Sequence, residues 1–239
     1  MSDGSVTEWW RVSVAEAMEL QRRLAQQVCQ ELRVPVPITI VAGIDAAYGG
    51  GNIYGAAVAL WMPSLEVIES AVAVRPEEFP YVPGLLSFRE APAILMALRS
   101  LHVRPDILLC DGQGIAHPRR LGIASHIGVL ANIPTVGCAK SLLCGTTEEP
   151  PNAFGATAPV WDQEELVAMA VRTRRNAKPV YVSVGHRVDL PFAVDLVLRC
   201  CRGSRLPEPV RLADSLSKHA ARSATMDGVT PSPATDKTP

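Results

Sequence analysis

Two strand-like apolar runs, ITIVAGIDAA (38–47) and IYGAAVALW (53–61), flank Gly49-Gly50-Gly51-Asn52. Consecutive glycines followed by Asn tolerate the positive φ angles of a tight turn. The pair therefore reads as a β-hairpin. A third such run, EVIESAVAV (66–74), follows it. Beyond the Pro-rich stretch Pro76 to Gly84 the pattern changes to alternation. Helices are expected at about 88–101, 122–131 and 189–201, and strands at 106–110 (DILLC), 134–138 (PTVGC) and 178–183 (KPVYVS). A further helix is expected over 13–32, with Ser13 as N-cap and Pro35 and Pro37 ending it. The stretch 143–160 reads as irregular. Three antiparallel strands followed by alternating helices and strands predict an α/β fold, a mixed β-sheet flanked by helices.

Nearly half of the 239 residues are hydrophobic (48%), enough to bury the core of one domain, placed at 1–222. The Thr-, Ser- and Pro-rich residues 223–239 read as a disordered tail. The formal net charge of −1 gives no global sign of a nucleic-acid binder. Basic residues nevertheless cluster at Arg119-Arg120, from Arg172 to Lys178, and at Arg199, Arg202 and Arg205. Such clusters neutralise phosphates locally or simply form solvated surface. The six cysteines show no CxxC spacing, as expected of a reduced intracellular protein. No signal pattern opens the chain and no apolar run is long enough to span a bilayer, so a cytoplasmic location and no membrane partner are expected.

Two aspartates stand out. Asp45 lies inside the apolar run VAGIDAAY, where a charge is costly unless paired, metal-bound or at an exposed strand end. Asp111 directly follows DILLC, and strand C-terminal ends are where sites gather in α/β folds. Together they suit a hard divalent cation; equally, each can cap a turn, since Asp111-Gly112 is good turn chemistry. Glu90 has the same two readings. Ser87-Phe88-Arg89-Glu90 fits a capping box, or Glu90 faces a metal.

Three stretches, GIDAAY (43–48), PYVPGLLSFREAPAIL (80–95) and DGQGIAHPRRLGIASHIGVLANIPTVGCAKSLL (111–143), together resemble the endonuclease V family of deoxyinosine-directed repair nucleases. VSVGHR (182–187) and RLPEPVRLAD (205–214) continue the match, which covers about 13 to 220. The resemblance implies a ribonuclease-H-like fold and a Mg²⁺ cofactor, with Mn²⁺ as a substitute. It implies metal binding by Asp45, Asp111 and Glu90, and further catalytic roles for Lys140 beside the scissile phosphate, for His117, and for Asp214 near the metal. Pro80, Tyr81, Val82 and Pro83 become a stiff loop presenting Tyr81 as a wedge that fills the place of a flipped base; without the resemblance they are an ordinary Pro-rich loop. Gly84, Leu86, Gly112, Gly114 and Ile115 are expected to line the base pocket, and Arg119 and Arg120 to contact nucleic acid. The implied substrate is hypoxanthine-containing DNA, single- or double-stranded, cut at the second phosphodiester 3′ of the lesion to leave 3′-hydroxyl and 5′-phosphate ends. A monomeric enzyme is expected. The alternatives are an inosine-specific endoribonuclease acting on RNA, a non-cleaving nucleic-acid-binding module, and another ribonuclease-H-like nuclease such as a resolvase.

Overall fold

The computed structural model describes residues 10–226. Its first helix, α1 (Val14–Ala25), begins as expected: Ser13 accepts from the Glu16 amide, and Glu16 reaches back to the Ser13 amide at 2.8 Å, closing a capping box. It ends earlier than the prolines suggested. The chain leaves the helix to hydrogen-bond with a residue distant in sequence, Arg187: the Arg187 amide donates to the Cys29 carbonyl and the Arg33 amide to the Arg187 carbonyl. Tertiary pairing outweighs helical propensity there.

β1 (Ile40–Gly49), β2 (Asn52–Trp61) and β3 (Val67–Pro76) form the expected antiparallel meander, and Gly50 and Gly51 take φ +57° and +74° in its first turn. Next come α2 (Leu86–Arg99), β4 (Ile107–Cys110), α3 (Ile123–Ala131) and β5 (Thr135–Ala139). The segment read as irregular ends in a strand, β6 (Thr157–Asp162), which forms a hairpin with β7 (Glu165–Val171). β6 escaped notice because it carries Pro159 and turns through Gln163 at φ +60°, without glycine. As an edge strand it tolerates the proline. β8 (Val180–His186) and α4 (Leu190–Arg199), N-capped by Asp189, follow. A last helix, α5 (Glu208–Met226), was not expected, and its final turn overruns the start of the proposed tail at 223. The remainder of that tail, 227–239, lies outside the described residues.

The eight strands form one sheet in the order β3-β2-β1-β4-β5-β8-β7-β6, with β1, β4 and β5 parallel and the other pairings antiparallel. Strand residues alternate between two faces. Ala42 and Ile44 join α1, α2 and α3 in one core, containing Phe88, Ile94 and Ile127. Val41, Leu109, Val136 and Cys138 pack on the other side with α4 and α5, against Leu196, Val197, Val210 and Ala213. Each such fully buried aliphatic side chain contributes roughly 1.5–3 kcal/mol. The same parity directs Asp45, Asp111 and Lys140 towards α5. Gly43 makes the approach of α5 possible, since a Cβ there would lie 1.8 Å from the Pro209 carbonyl oxygen. Among the described residues no helix is long and apolar enough to cross a membrane.

Candidate active site

Asp45 sits in β1 one residue past Ile44, the register partner of Cys110 at the end of β4. Asp111 is therefore its neighbour across two parallel strands. Lys140 directly follows β5. From above, α5 brings Asp214, Ser217 and Lys218, at i, i+3 and i+4 on one helix face. Asp45, Asp111 and Asp214 each offer a carboxylate oxygen within 4.8 Å of the others. The Lys140 ammonium bridges Asp111 and Asp214, at 2.6 Å from the latter. Lys218 Nζ donates to both oxygens of Asp214, at 2.8 and 2.7 Å. Ser217 Oγ donates to Asp45 Oδ2 at 2.7 Å.

Glu90 comes from α2. It is not a capping residue: the N-cap is Leu85, without a side-chain hydrogen bond, and Ser87 lies inside the helix with its hydroxyl on His126 Nδ1 at 2.9 Å. Instead Tyr48 Oη donates to Glu90 Oε1 at 2.8 Å. Glu90 is thus a fourth carboxylate, buried like Asp45, beside the aspartate trio but outside it.

Four carboxylates face two ammonium groups here, and their protonation reflects it. Burial, reinforced by the negative charge of Asp111, raises the Asp45 carboxyl to about 6. Burial raises Glu90 to about 8, against the hydrogen bond from Tyr48. Asp111 is also raised, chiefly by burial, although Lys140 pulls it down. Asp214 moves the other way: burial is outweighed by the hydrogen bonds from Lys140 and Lys218, which hold it ionised.

A cavity of about 380 Å³ opens beside this cluster, with Asp111, Lys140 and Tyr81 all in its lining. Gly84, Leu86 and Gly112 line it as expected, together with Val82 and Pro83. Tyr81 is 72% exposed, with the Arg89 guanidinium 5.7 Å from its ring centre and 4.9 Å from that of Tyr48. Pro80 is exposed in the same loop. Other expected residues lie elsewhere. Ile115 belongs to the core, its amide on the Val184 carbonyl at 2.8 Å. Gly114 is buried against Val184, where a Cβ would lie 1.9 Å from a carbonyl oxygen, so it serves packing. Arg120 pairs with Asp162 and Glu165, both at 2.7 Å.

His117 and Arg119 support the cavity loop. The Gly84 carbonyl accepts from His117 Nε2 at 2.9 Å, Arg119 Nη2 at 2.9 Å and Gln21 Nε2 at 3.0 Å. His117 Nδ1 accepts from the Arg119 amide at 3.0 Å. Both ring nitrogens are occupied, and burial lowers the imidazole to about 4, so it is neutral near pH 7. Sequence reasoning missed Gln21, Tyr48, Ser217 and Lys218. For the last two, the spacing from Asp214 on a helical pattern was the available signal.

A mixed sheet flanked by helices, with aspartates gathered from its parallel strand ends and from a C-terminal helix, defines a nuclease of the ribonuclease-H-like class. Comparison with known proteins narrows this further. The family model described as Endonuclease V matches residues 22–215. An endonuclease V of Roseiflexus sp. is 52% identical over 217 residues, 91% of this chain and 97% of the relative. The crystal structure of an endonuclease V from Streptomyces avermitilis superposes with a TM-score of 0.85 at 43% identity, covering 90% of this chain and 96% of that one. An endonuclease V of Ciona intestinalis, solved with a 24mer DNA containing an inosine followed by a ribo-adenosine, gives a TM-score of 0.77 at 26% identity, covering 88% and 98%. The chain belongs to the endonuclease V family, and its activity is that of an endonuclease.

Proposed function

We propose that the protein is a repair endonuclease that takes a hypoxanthine base of DNA into the cavity beside Tyr81 and hydrolyses the second phosphodiester on its 3′ side. The observation that carries this reading is that cavity and carboxylate cluster share walls, Asp111 and Lys140. A base held beside Tyr81 in a cavity that Asp111 and Lys140 also line leaves the neighbouring backbone at the aspartates. The inosine-containing DNA bound by the Ciona enzyme supports the same substrate class.

The donor set fits Mg²⁺. Mg²⁺ ligands at about 2.1 Å from the ion lie about 3–4 Å from one another, and the three aspartate oxygens fall within 4.8 Å. Asp45, Asp111 and Asp214 would hold the ion, with Glu90 adding negative charge behind them. Bound there, it would supply Lewis-acid neutralisation of the phosphoryl oxygens. The chain's own groups do the rest. Lys140 places a positive charge where the phosphoryl oxygens gain negative charge. Ser217 and Lys218 fix the rotamers of Asp45 and Asp214. Tyr81, stacked near Arg89, fills the gap left by the extruded base, and the clamp on Gly84 keeps the cavity open for it. His117 acts through that clamp as a positioning residue.

A second reading, an inosine-directed endoribonuclease, is kept by the ribo-adenosine beside the inosine in the Ciona complex. The test is a denaturing-gel assay on end-labelled DNA and RNA strands of one sequence, each with a single hypoxanthine, with and without Mg²⁺. We expect Mg²⁺-dependent cutting at one bond 3′ of the lesion, faster on DNA. Faster cutting of RNA would install the second reading, and no cutting of either strand by folded protein would overturn both.

A further inference from the structure

The cavity beside Tyr81 is not the end of the concave surface. Past Lys140, Ser141 and Leu142 it continues into a trough of about 420 Å³, walled by Thr147 to Pro150 on one side and by Lys178, Pro179 and Tyr181 on the other. Through Glu149, Pro150 and Lys178 this trough leads into another, of about 570 Å³, against the β7–β8 turn. Lys140 and Lys178 are close neighbours, because one guanidinium spans them: Arg205 donates to the Lys140 carbonyl at 2.6 Å and to the Lys178 carbonyl at 2.9 Å.

The walls are fixed before anything binds. Arg172, 5% exposed, donates to the Pro150 carbonyl at 2.8 Å and to Glu149 at 2.9 Å, and also holds the Ala177 carbonyl. Asn152 and Asn176 bond each other across the gap at 2.6 and 2.7 Å. The charges of the turn are left over. Arg174, Arg175 and Lys178 are exposed, and their side chains form no ion pair or hydrogen bond among the described residues. Glu149 is neutralised by Arg172, leaving Glu148 as the opposing charge on the wall. Lys178 lines both troughs, and Arg174 and Arg175 stand in the adjoining turn, so the surface at the far end carries a local positive excess in a chain whose formal net charge is −1. Unpaired cations on the wall of a groove continuous with a nuclease centre, and in the turn that borders it, suit a polyanionic strand.

We infer that this trough binds the phosphate backbone of the substrate strand beyond the cut, with Arg174, Arg175 and Lys178 as its phosphate contacts. The inference rests on the proposed function for its polarity: with the base at Tyr81 and the scissile phosphate at Lys140, the trough receives the 3′ segment. The role is one of binding, separate from the chemistry at the aspartates.

The test compares kcat/KM on two hypoxanthine strands, one ending just past the cut and one extended on its 3′ side by about eight nucleotides, within the site sizes of single-strand grooves. Wild-type protein should favour the long strand by about tenfold, equivalent to about 1.4 kcal/mol. In the triple variant R174Q/R175Q/K178Q this preference should fall to near parity. Taking the ratio cancels any general loss from poorer folding. Anisotropy with an unmodified strand and no divalent cation provides a second reading. The slope of log affinity against log salt should drop by about 2 for three lost phosphate contacts at about 0.7 each. A long-strand preference kept by the variant would overturn the inference, as would a variant-sensitive gain from 5′ rather than 3′ extension. No cutting of either strand by wild type would instead sink the proposed function, while an undiminished salt slope would still count against the trough.

Discussion

Asp45 is a carboxylate that folding alone would not select. It is 8% exposed, raised to about 6 by burial and by Asp111, and offset by one hydroxyl donor. Like charges packed this way cost stability and are retained at sites where a cation or proton compensates. Asp45→Asn keeps the shape and an acceptor for Ser217 while removing the charge. We predict that the chelated, cation-free variant is about 1–2 kcal/mol more stable near pH 7, and that cleavage falls by about a thousandfold or more. Urea unfolding in chelator together with gel rates would check both. A destabilised variant that still cuts would remove Asp45 from the site. At this scale the sequence was legible where a charge broke an apolar pattern, as at Asp45 and Asp111. It was not legible for His117, whose tautomer depends on a carbonyl 33 residues away, or for Tyr48, whose phenol reaches a carboxylate 42 residues on. Side-chain pairings of that kind leave no local signal.

The elements that escaped the sequence are those whose local pattern is weak. Helix α5 buries Val210, Ala213, Ser217 and Ala221, a helical spacing built from small residues with few large apolar ones, next to a Ser- and Thr-rich stretch. Its place on β1 depends on Gly43, far away in sequence. Strands β1 to β5 were legible because large β-branched residues alternate or run continuously between turn signals. Helix α1 was legible as a helix but not in its purpose. Gln21, 1% exposed, donates from Nε2 to the carbonyls of Leu121 and Gly84, at 2.7 and 3.0 Å, and its oxygen accepts from Arg119. It joins α1 to both loops that enclose the cavity. Gln21→Leu keeps the volume and strips those bonds. We expect a loss of about 1–3 kcal/mol in stability from the Leu121 carbonyl and the Arg119 Nε left without their Gln21 partner, the Gly84 carbonyl keeping His117 and Arg119, with affinity for hypoxanthine-containing DNA falling more than affinity for unmodified DNA. Equal loss on both strands, by anisotropy, would mean that α1 only props the fold. Gln21→Glu should rescue the Arg119 contact but not the discrimination, because the Gly84 carbonyl would still lack its amide donor.

On the scale of the whole molecule, stability should depend on pH through groups that the fold keeps uncharged. His126 is 1% exposed between Trp10 and Phe88, with ring centres 5.4 and 5.0 Å away, and burial lowers it from 6.5 to about 3. Its polar neighbour is the Ser87 hydroxyl, and no charged group contributes to its shift. His117 and His186 are lowered to about 4, again chiefly by burial. A histidine with a depressed folded value binds fewer protons folded than unfolded. Its contribution is complete above about 6.5 and is lost as pH falls towards the folded value. Asp45 and Glu90 are raised and act oppositely across part of the same range, so the total curve is flatter than the histidines alone would make it. Comparing wild type with His126→Phe isolates one group. The phenyl ring keeps the contacts with Trp10 and Phe88 and cannot titrate, though it leaves the Ser87 hydroxyl unpaired. The variant should be less stable than wild type at pH 7. The gap should close by about 3 kcal/mol by pH 4.5, at about 1.4 kcal/mol per unit below 6.5. Urea denaturation at a series of pH values measures the difference. A gap independent of pH would mean that His126 takes up its proton in the folded state as readily as in the unfolded one, so that its surroundings are not the closed apolar pocket formed by Trp10 and Phe88.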